Sequence, residues 1–231
     1  MQQVKVNKNV ISAHFPMKSM PNYLELVHNP DKFFRDAKEE QIGFMAPFAI
    51  LLIVAILSSF SAALFADLYA KAGVELAVSK GVPPERAEAI YAITYYSTII
   101  SPFAFVFIMW VIFSVILYGI SAIFGGKGDF STTLKFVAFC FIPSIVLFPM
   151  SLKIAMDTAA VISVQGFEGL MDKSIKMAGA GLNTISLGWQ VVLWTFAIKH
   201  ARELDFRKAL STAAIPAVAY LILTWYSLML F

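Results

Sequence analysis

Five stretches of this chain contain no Asp, Glu, Lys or Arg, at residues 41–66, 89–126, 136–152, 177–198 and 209–231, and together they hold 126 of the 231 residues. A helix that crosses a bilayer needs about 20 predominantly apolar residues, with a range of about 17–25. The pattern therefore predicts an all-α polytopic membrane protein with five transmembrane helices, at about 43–67, 101–124, 134–152, 177–198 and 209–231. The second stretch, 38 residues long, is too long for one crossing. Its membrane part is expected to begin at Pro102, with a separate external helix opening at Pro83-Pro84-Glu85-Arg86 and carrying Tyr91, Tyr95 and Tyr96 to the interface. The third stretch is short and holds Pro143 and Pro149, each of which removes a backbone donor and bends a helix.

Between and before these stretches the pattern changes. Residues 1–28 are polar without a clear period and read as a loosely ordered arm, leaving 29–231 as the membrane domain. Asn29-Pro30-Asp31 has the form of a helix start: a capping Asn, a Pro at the first helical position and an acid in the first turn. Phe33, Phe34 and Ala37 share one face of that short helix, which is expected either to lie in the membrane interface or to serve as a plain lead-in to the first span. Three spans carry small residues four apart: Ala55, Ser59 and Ala63; Ala180, Thr184 and Gly188; and Ala209, Ala213 and Ala217. Such stripes let helix backbones approach closely, and packing within the bundle is the expected use. Residues 153–176 read as a helical extension followed by a turn at Gly166 and Gly169.

Composition agrees with this picture and narrows it. Hydrophobic residues make up 59% and charged residues 14%, with a mean hydropathy of +0.74. An ordinary soluble domain has about 45–50% and 25%, so a soluble enzyme is excluded. A formal charge of +3 spread over separate segments forms no nucleic-acid groove. One cysteine, Cys140, allows neither an intrachain disulfide nor a cysteine metal cluster. The first apolar stretch starts near residue 41, too far in and too long for a cleavable signal core, and reads as a retained span. With five spans, twelve Lys and Arg fall on one side and six on the other. The positive-inside rule then puts the N-terminus in the cytoplasm and the C-terminus outside the cell membrane.

The search for chemistry finds little. Gly125-Gly126-Lys127-Gly128-Asp129 lacks the Ser/Thr and the strand-to-helix setting of a phosphate loop. A Gly-X-Gly-Asp string also occurs in intramembrane aspartyl proteases, which need a second membrane Asp. Here Asp67 and Asp157 both lie outside the apolar stretches. His14, His28 and His200 have no metal-site spacing, and no Gly-X-Ser-X-Gly elbow is present. No catalytic, metal or cofactor-binding residue is predicted. Ionisable groups are absent from the stretches, which argues against a proton-coupled pump. A permease or channel for a small neutral solute stays open as the alternative, using Asn183 with Ser58, Ser61, Ser97 and Thr98, although an interhelical hydrogen bond is the favoured role for Asn183.

Phe124-Gly125-Gly126-Lys127-Gly128-Asp129-Phe130-Ser131, followed by Thr132-Thr133-Leu134 and by Pro143 in the next span, resembles the Yip1 domain family. Asn29-Pro30 with Phe33-Phe34 is similar to the family's entry into the first span, and Arg202 through Leu210 to its turn into the last. The resemblance covers about 29–231 and rests on the order of these strings. It implies five spans, a cytoplasmic N-terminus and an external or lumenal C-terminus. Eukaryotic members resemble adaptors for prenylated GTPases and coat components. This chain lacks their Asp-Leu-Tyr-Gly-Pro string and long cytoplasmic extension, so it looks like a prokaryotic member and the GTPase partner is not carried over.

The resulting expectation is a non-enzymatic protein that organises membrane or partners through its cytoplasmic face. The candidate contacts to lipid or partner are Asn29, Pro30, Phe33, Phe34, Gly125, Gly126, Lys127, Lys199, Arg202, Arg207 and Lys208. Its expected partners are membrane lipids, other membrane proteins or further copies of itself.

Overall fold

The computed structural model describes residues 22–166, 168 and 173–230. The expected arm lies largely outside the described residues, as does Gly169. From 22 onward the arm is structured: a short helix α1 (Glu25–His28) buries Leu26 completely.

The cap signals act as written. In α2 (Pro30–Glu39) the Asn29 side chain accepts from the Lys32 backbone N–H at 3.3 Å. In α5 (Phe130–Phe139) Asp129 accepts from the Thr132 N–H at 2.8 Å and from its hydroxyl at 2.7 Å. These bonds hold its carboxyl below the usual carboxylate range. Among the described residues four helices are long and apolar enough to cross a membrane: α3 (Met45–Ser79), α4 (Ala87–Ile123), α8 (Lys173–Ala201) and α9 (Phe206–Leu230).

The third expected span is not one helix. It breaks into α5, α6 (Ile142–Val146) and α7 (Phe148–Gln165), with a bend of 57° where α6 meets α7. Pro143 and Pro149 stand at the starts of α6 and α7, where their missing N–H groups cost nothing. The broken segment makes a fifth span only where its two bent parts are taken together. Its start packs on the end of α8 through Gly128 and Ala201, and its finish leads to Lys173 at the other end of that 29-residue helix. The two ends of the bundle are called proximal, where α2 lies, and distal.

A second difference concerns α4. Instead of an external helix and a span starting at Pro102, one helix of 37 residues runs through Pro102. It is about 55 Å long at 1.5 Å per residue, well beyond the roughly 30 Å hydrocarbon core. It pairs with the 35-residue α3 as a hairpin that extends past the membrane at the distal end. The extension is tied by the Tyr91 hydroxyl donating to Asp67 at 2.8 Å and by the Asp67–Lys71 ion pair at 2.7 Å. Tertiary pairing keeps the helix continuous where the proline signal alone suggested a break.

The core gathers at the proximal half. Phe33, Phe34 and Ala37 are fully buried against protein, so α2 seals the bundle and does not lie on lipid. Phe33 meets Phe139 edge-on at 5.0 Å, and Phe34 packs on Phe136 at 5.2 Å. Leu193, Trp194, Ala197 and Ile198 of α8 complete this cluster. The stripe Ala209, Ala213 and Ala217 is buried and gives α9 its close seat in the bundle beside α8.

Candidate functional site

Three segments far apart in sequence meet at the proximal end: α2, the glycine turn 124–129 and the turn 202–205 between α8 and α9. Arg202 is their hub. It is 3% exposed, and its Nε donates to Ser121 Oγ at 2.9 Å while Nη2 donates to the Gly126 carbonyl at 2.7 Å. Its guanidinium lies 4.0 Å from the centre of the Tyr118 ring. The Lys127 N–H closes the junction by donating to the Arg202 carbonyl at 2.9 Å. Among the described residues no carboxylate pairs with Arg202; its charge is held by neutral dipoles and a π face.

The glycines follow from this geometry. Gly125 has φ +85°, a left-handed conformation that glycine adopts without strain. A Cβ on Gly128 would overlap the carbonyl oxygen of Ala201. The turn is therefore a close backbone seam between two helix hairpins.

Two further ties lock α2 to the α8–α9 corner. Lys38 pairs with Glu203 at 2.8 Å, and Asp31 accepts from Lys199 at 2.7 Å and contacts His200 Nε2 at 2.6 Å. Partial burial pushes the Asp31 carboxyl up, but hydrogen bonds from Lys199 and His200 outweigh it and hold the carboxyl below its ordinary value. Lys135 donates to the Ile42 carbonyl at 3.0 Å and sits 5.4 Å from the Phe44 ring. Between α2 and α5 lies a cleft of about 440 Å3 whose polar lining includes Lys38, Gln41, Asp129, Thr132 and Lys135.

The candidate contact residues thus divide. Asn29 caps a helix, Pro30 opens it, and Phe33, Phe34 and Arg202 are buried. Gly125 and Gly126 form the seam, and Lys199 is tied to Asp31. Lys127, Arg207 and Lys208 present their side chains outward. Sequence reasoning missed Asp31, Lys38, Glu203 and Ser121 as cross-ties. Nothing in local spacing marks them, because their partners are 76 or more residues away.

At membrane depth a different region opens. A cavity of about 300 Å3 is lined by Ser58 and Ser61 of α3, Ser144 of α6, Ser151 of α7 and Asn183 and Ser186 of α8. A second, about 380 Å3, shares Ser58, Ser144, Asn183 and Ser186 with it and continues between aromatic walls. Asn183 therefore faces a cavity and forms no interhelical hydrogen bond among the described residues. No cluster of three His, Cys, Asp or Glu residues suited to a metal occurs among the described residues.

No solved structure matches the chain. The uncharacterized protein MJ0794 of Methanocaldococcus jannaschii is 32% identical over 125 residues, which cover 54% of this chain and 82% of that protein. The profile of the Yip1 domain matches residues 24–228, which include all four long apolar helices, the bent segment between them and the proximal seam. On the strength of that match, this multi-pass membrane protein belongs to the Yip1 domain family.

Proposed function

We propose that the chain is a non-enzymatic organiser of membranes or membrane partners that acts through its proximal face. The observation that carries this reading is the cross-tying of three distant segments into one face by Arg202–Gly126, Lys38–Glu203 and Asp31–Lys199. A surface locked in this way recognises a partner without first having to be ordered. Nine described Lys and Arg residues stand at the proximal end against six at the distal end. That asymmetry supports a cytoplasmic proximal face and an external C-terminus in a prokaryotic-type cell membrane.

Exposed charge at this face is nearly balanced. Lys127, Arg207 and Lys208 stand beside Glu203 and Asp205, and Lys208 lies 3.7 Å from Asp205. Each juxtamembrane basic residue contributes about 1 kcal/mol toward an anionic surface, so lipid charge alone gives modest capture. Another membrane protein or a second copy is the better-supported partner. Cross-linking in intact membranes tests this: wild type should yield a defined adduct, and Lys127→Glu/Arg207→Glu/Lys208→Glu should lose it. Unchanged adducts in the triple variant would remove this face from the mechanism.

A further inference from the structure

Several hydroxyl groups on the helices of this protein are satisfied locally, whereas the buried Ser59 hydroxyl is not. Ser114, Thr184, Thr195 and Thr212 each donate to the carbonyl four residues earlier, at 2.7–2.9 Å. That is the usual way for a helix in lipid to satisfy a hydroxyl. In the cavity, Ser58, Ser61, Ser144 and Ser186 form no such bond, and the Asn183 amide has no partner among the described residues. Only Ser151 bonds back, to Phe148 at 2.8 Å. The four serines are half-buried and Asn183 is exposed, so the cluster offers unpaired donors and acceptors to an occupant that enters the cavity.

The second lobe sets the rest of the occupant's chemistry. Phe105, Met109, Phe113 and Tyr220 wall it together with Trp194, which is 2% exposed and whose indole N–H is buried without an acceptor. The lobes are arranged by depth. Ser151 lies two residues from Lys153 and Asn183 seven from Lys176, both at the distal end. Trp194 lies eleven residues further along α8, about 16 Å deeper at 1.5 Å per residue. Among the described residues no Asp, Glu, Lys, Arg or His lines either lobe. A phosphate carried into such a site would be an uncompensated charge, which is far costlier than a neutral group.

We propose that this two-lobed cavity binds one uncharged, hydroxyl-bearing lipid, its head among Ser58, Ser61, Ser144, Asn183 and Ser186 and its chain along the aromatic lobe. The site is separate from the proximal face and does not depend on the reading given for it. Diacylglycerol is the simplest lipid of this chemistry. The break between α6 and α7 brings Ser144 to the cavity, so the bent span is part of the site.

The test uses the full chain in phosphatidylcholine vesicles with a trace of diacylglycerol bearing a photoactivatable group on its acyl chain. Adducts mapped by mass spectrometry should fall on Met109, Phe113 and Trp194, the sheltered lining of the aromatic lobe. Excess dioleoylglycerol should suppress them, while dioleoyl phosphatidylglycerol or free glycerol should not. Asn183→Leu/Ser186→Ala should lower labelling at least tenfold, with Lys80→Ala unchanged. Adducts confined to outward residues such as Ile56, Ile112 and Leu223 would overturn the proposal on the wild-type protein alone, whatever the fate of the variant. Suppression by phosphatidylglycerol would overturn it in favour of a charged lipid, and suppression by free glycerol in favour of a solute path. Unchanged labelling in a folded double variant would also overturn it.

Discussion

Arg202→Ala tests the proximal seam at its centre. The native side chain makes two charge-assisted hydrogen bonds, to Ser121 Oγ and the Gly126 carbonyl, each worth about 1.5–3 kcal/mol. Its contact with Tyr118 adds about 2 kcal/mol when desolvated. Against these stands the burial of a guanidinium with no carboxylate partner, a penalty of several kcal/mol. Ser121 keeps its bond to the Tyr118 carbonyl in the variant, so the Gly126 carbonyl is the group left orphaned, at about 1–3 kcal/mol. The net loss should be about 2–4 kcal/mol. For a chain of this size that lowers Tm by roughly 5–15 °C, readable by tryptophan fluorescence in detergent. Arg202→Met, which fills the space without a charge to bury, should lose less than half as much. A Tm within about 2 °C of wild type for Arg202→Ala would refute the hub, and so would an Arg202→Met as damaging as the alanine.

Gly128→Ala should be more disruptive than Gly125→Ala, because its methyl group meets the Ala201 backbone whereas Gly125 faces only a positive-φ cost of about 1–2 kcal/mol; expression and size-exclusion profiles should rank them in that order. Asp129→Ala should cost about 1 kcal/mol through loss of the α5 cap, with Asp129→Asn nearly neutral; equal Tm loss in both would show that charge and not capping matters. The folded Asp31 carboxyl titrates below its ordinary value, so its tie to α8 is fully present above that value and is lost as pH falls through the lower, folded one. Asp31→Asn should therefore be less stable than wild type at pH 7, by no more than about 1 kcal/mol for a partly exposed pair, and the difference should close in strong acid. A difference that widens toward low pH would contradict the assignment.

The apolar stretches were legible because a bilayer imposes length and composition directly. Helix caps were equally legible, since Asn29 and Asp129 act on N–H groups three residues away. What failed were inferences that depend on the third dimension. The period of Phe33, Phe34 and Ala37 identifies an apolar face, but a face buried on Phe136 and Phe139 has the same pattern as one lying on lipid. Pro102 signals a break that pairing with α3 overrides, whereas Pro143 and Pro149 do break their span. The glycine turn was visible as a motif. Its reason, a seam against Ala201 and Arg202, depends on residues more than 70 positions away. The serines of the cavity sit on four elements and share no spacing that would unite them beforehand.

The central claim is that the proximal face, through Lys127, Arg207 and Lys208, holds a partner. Native mass spectra of the full chain, extracted gently from its own membrane, measure that most directly when wild type is compared with Lys127→Glu/Arg207→Glu/Lys208→Glu. The account predicts a bound protein or second copy on wild type and its loss from the folded triple variant. A bare wild-type monomer, or a partner retained equally by both, would contradict it.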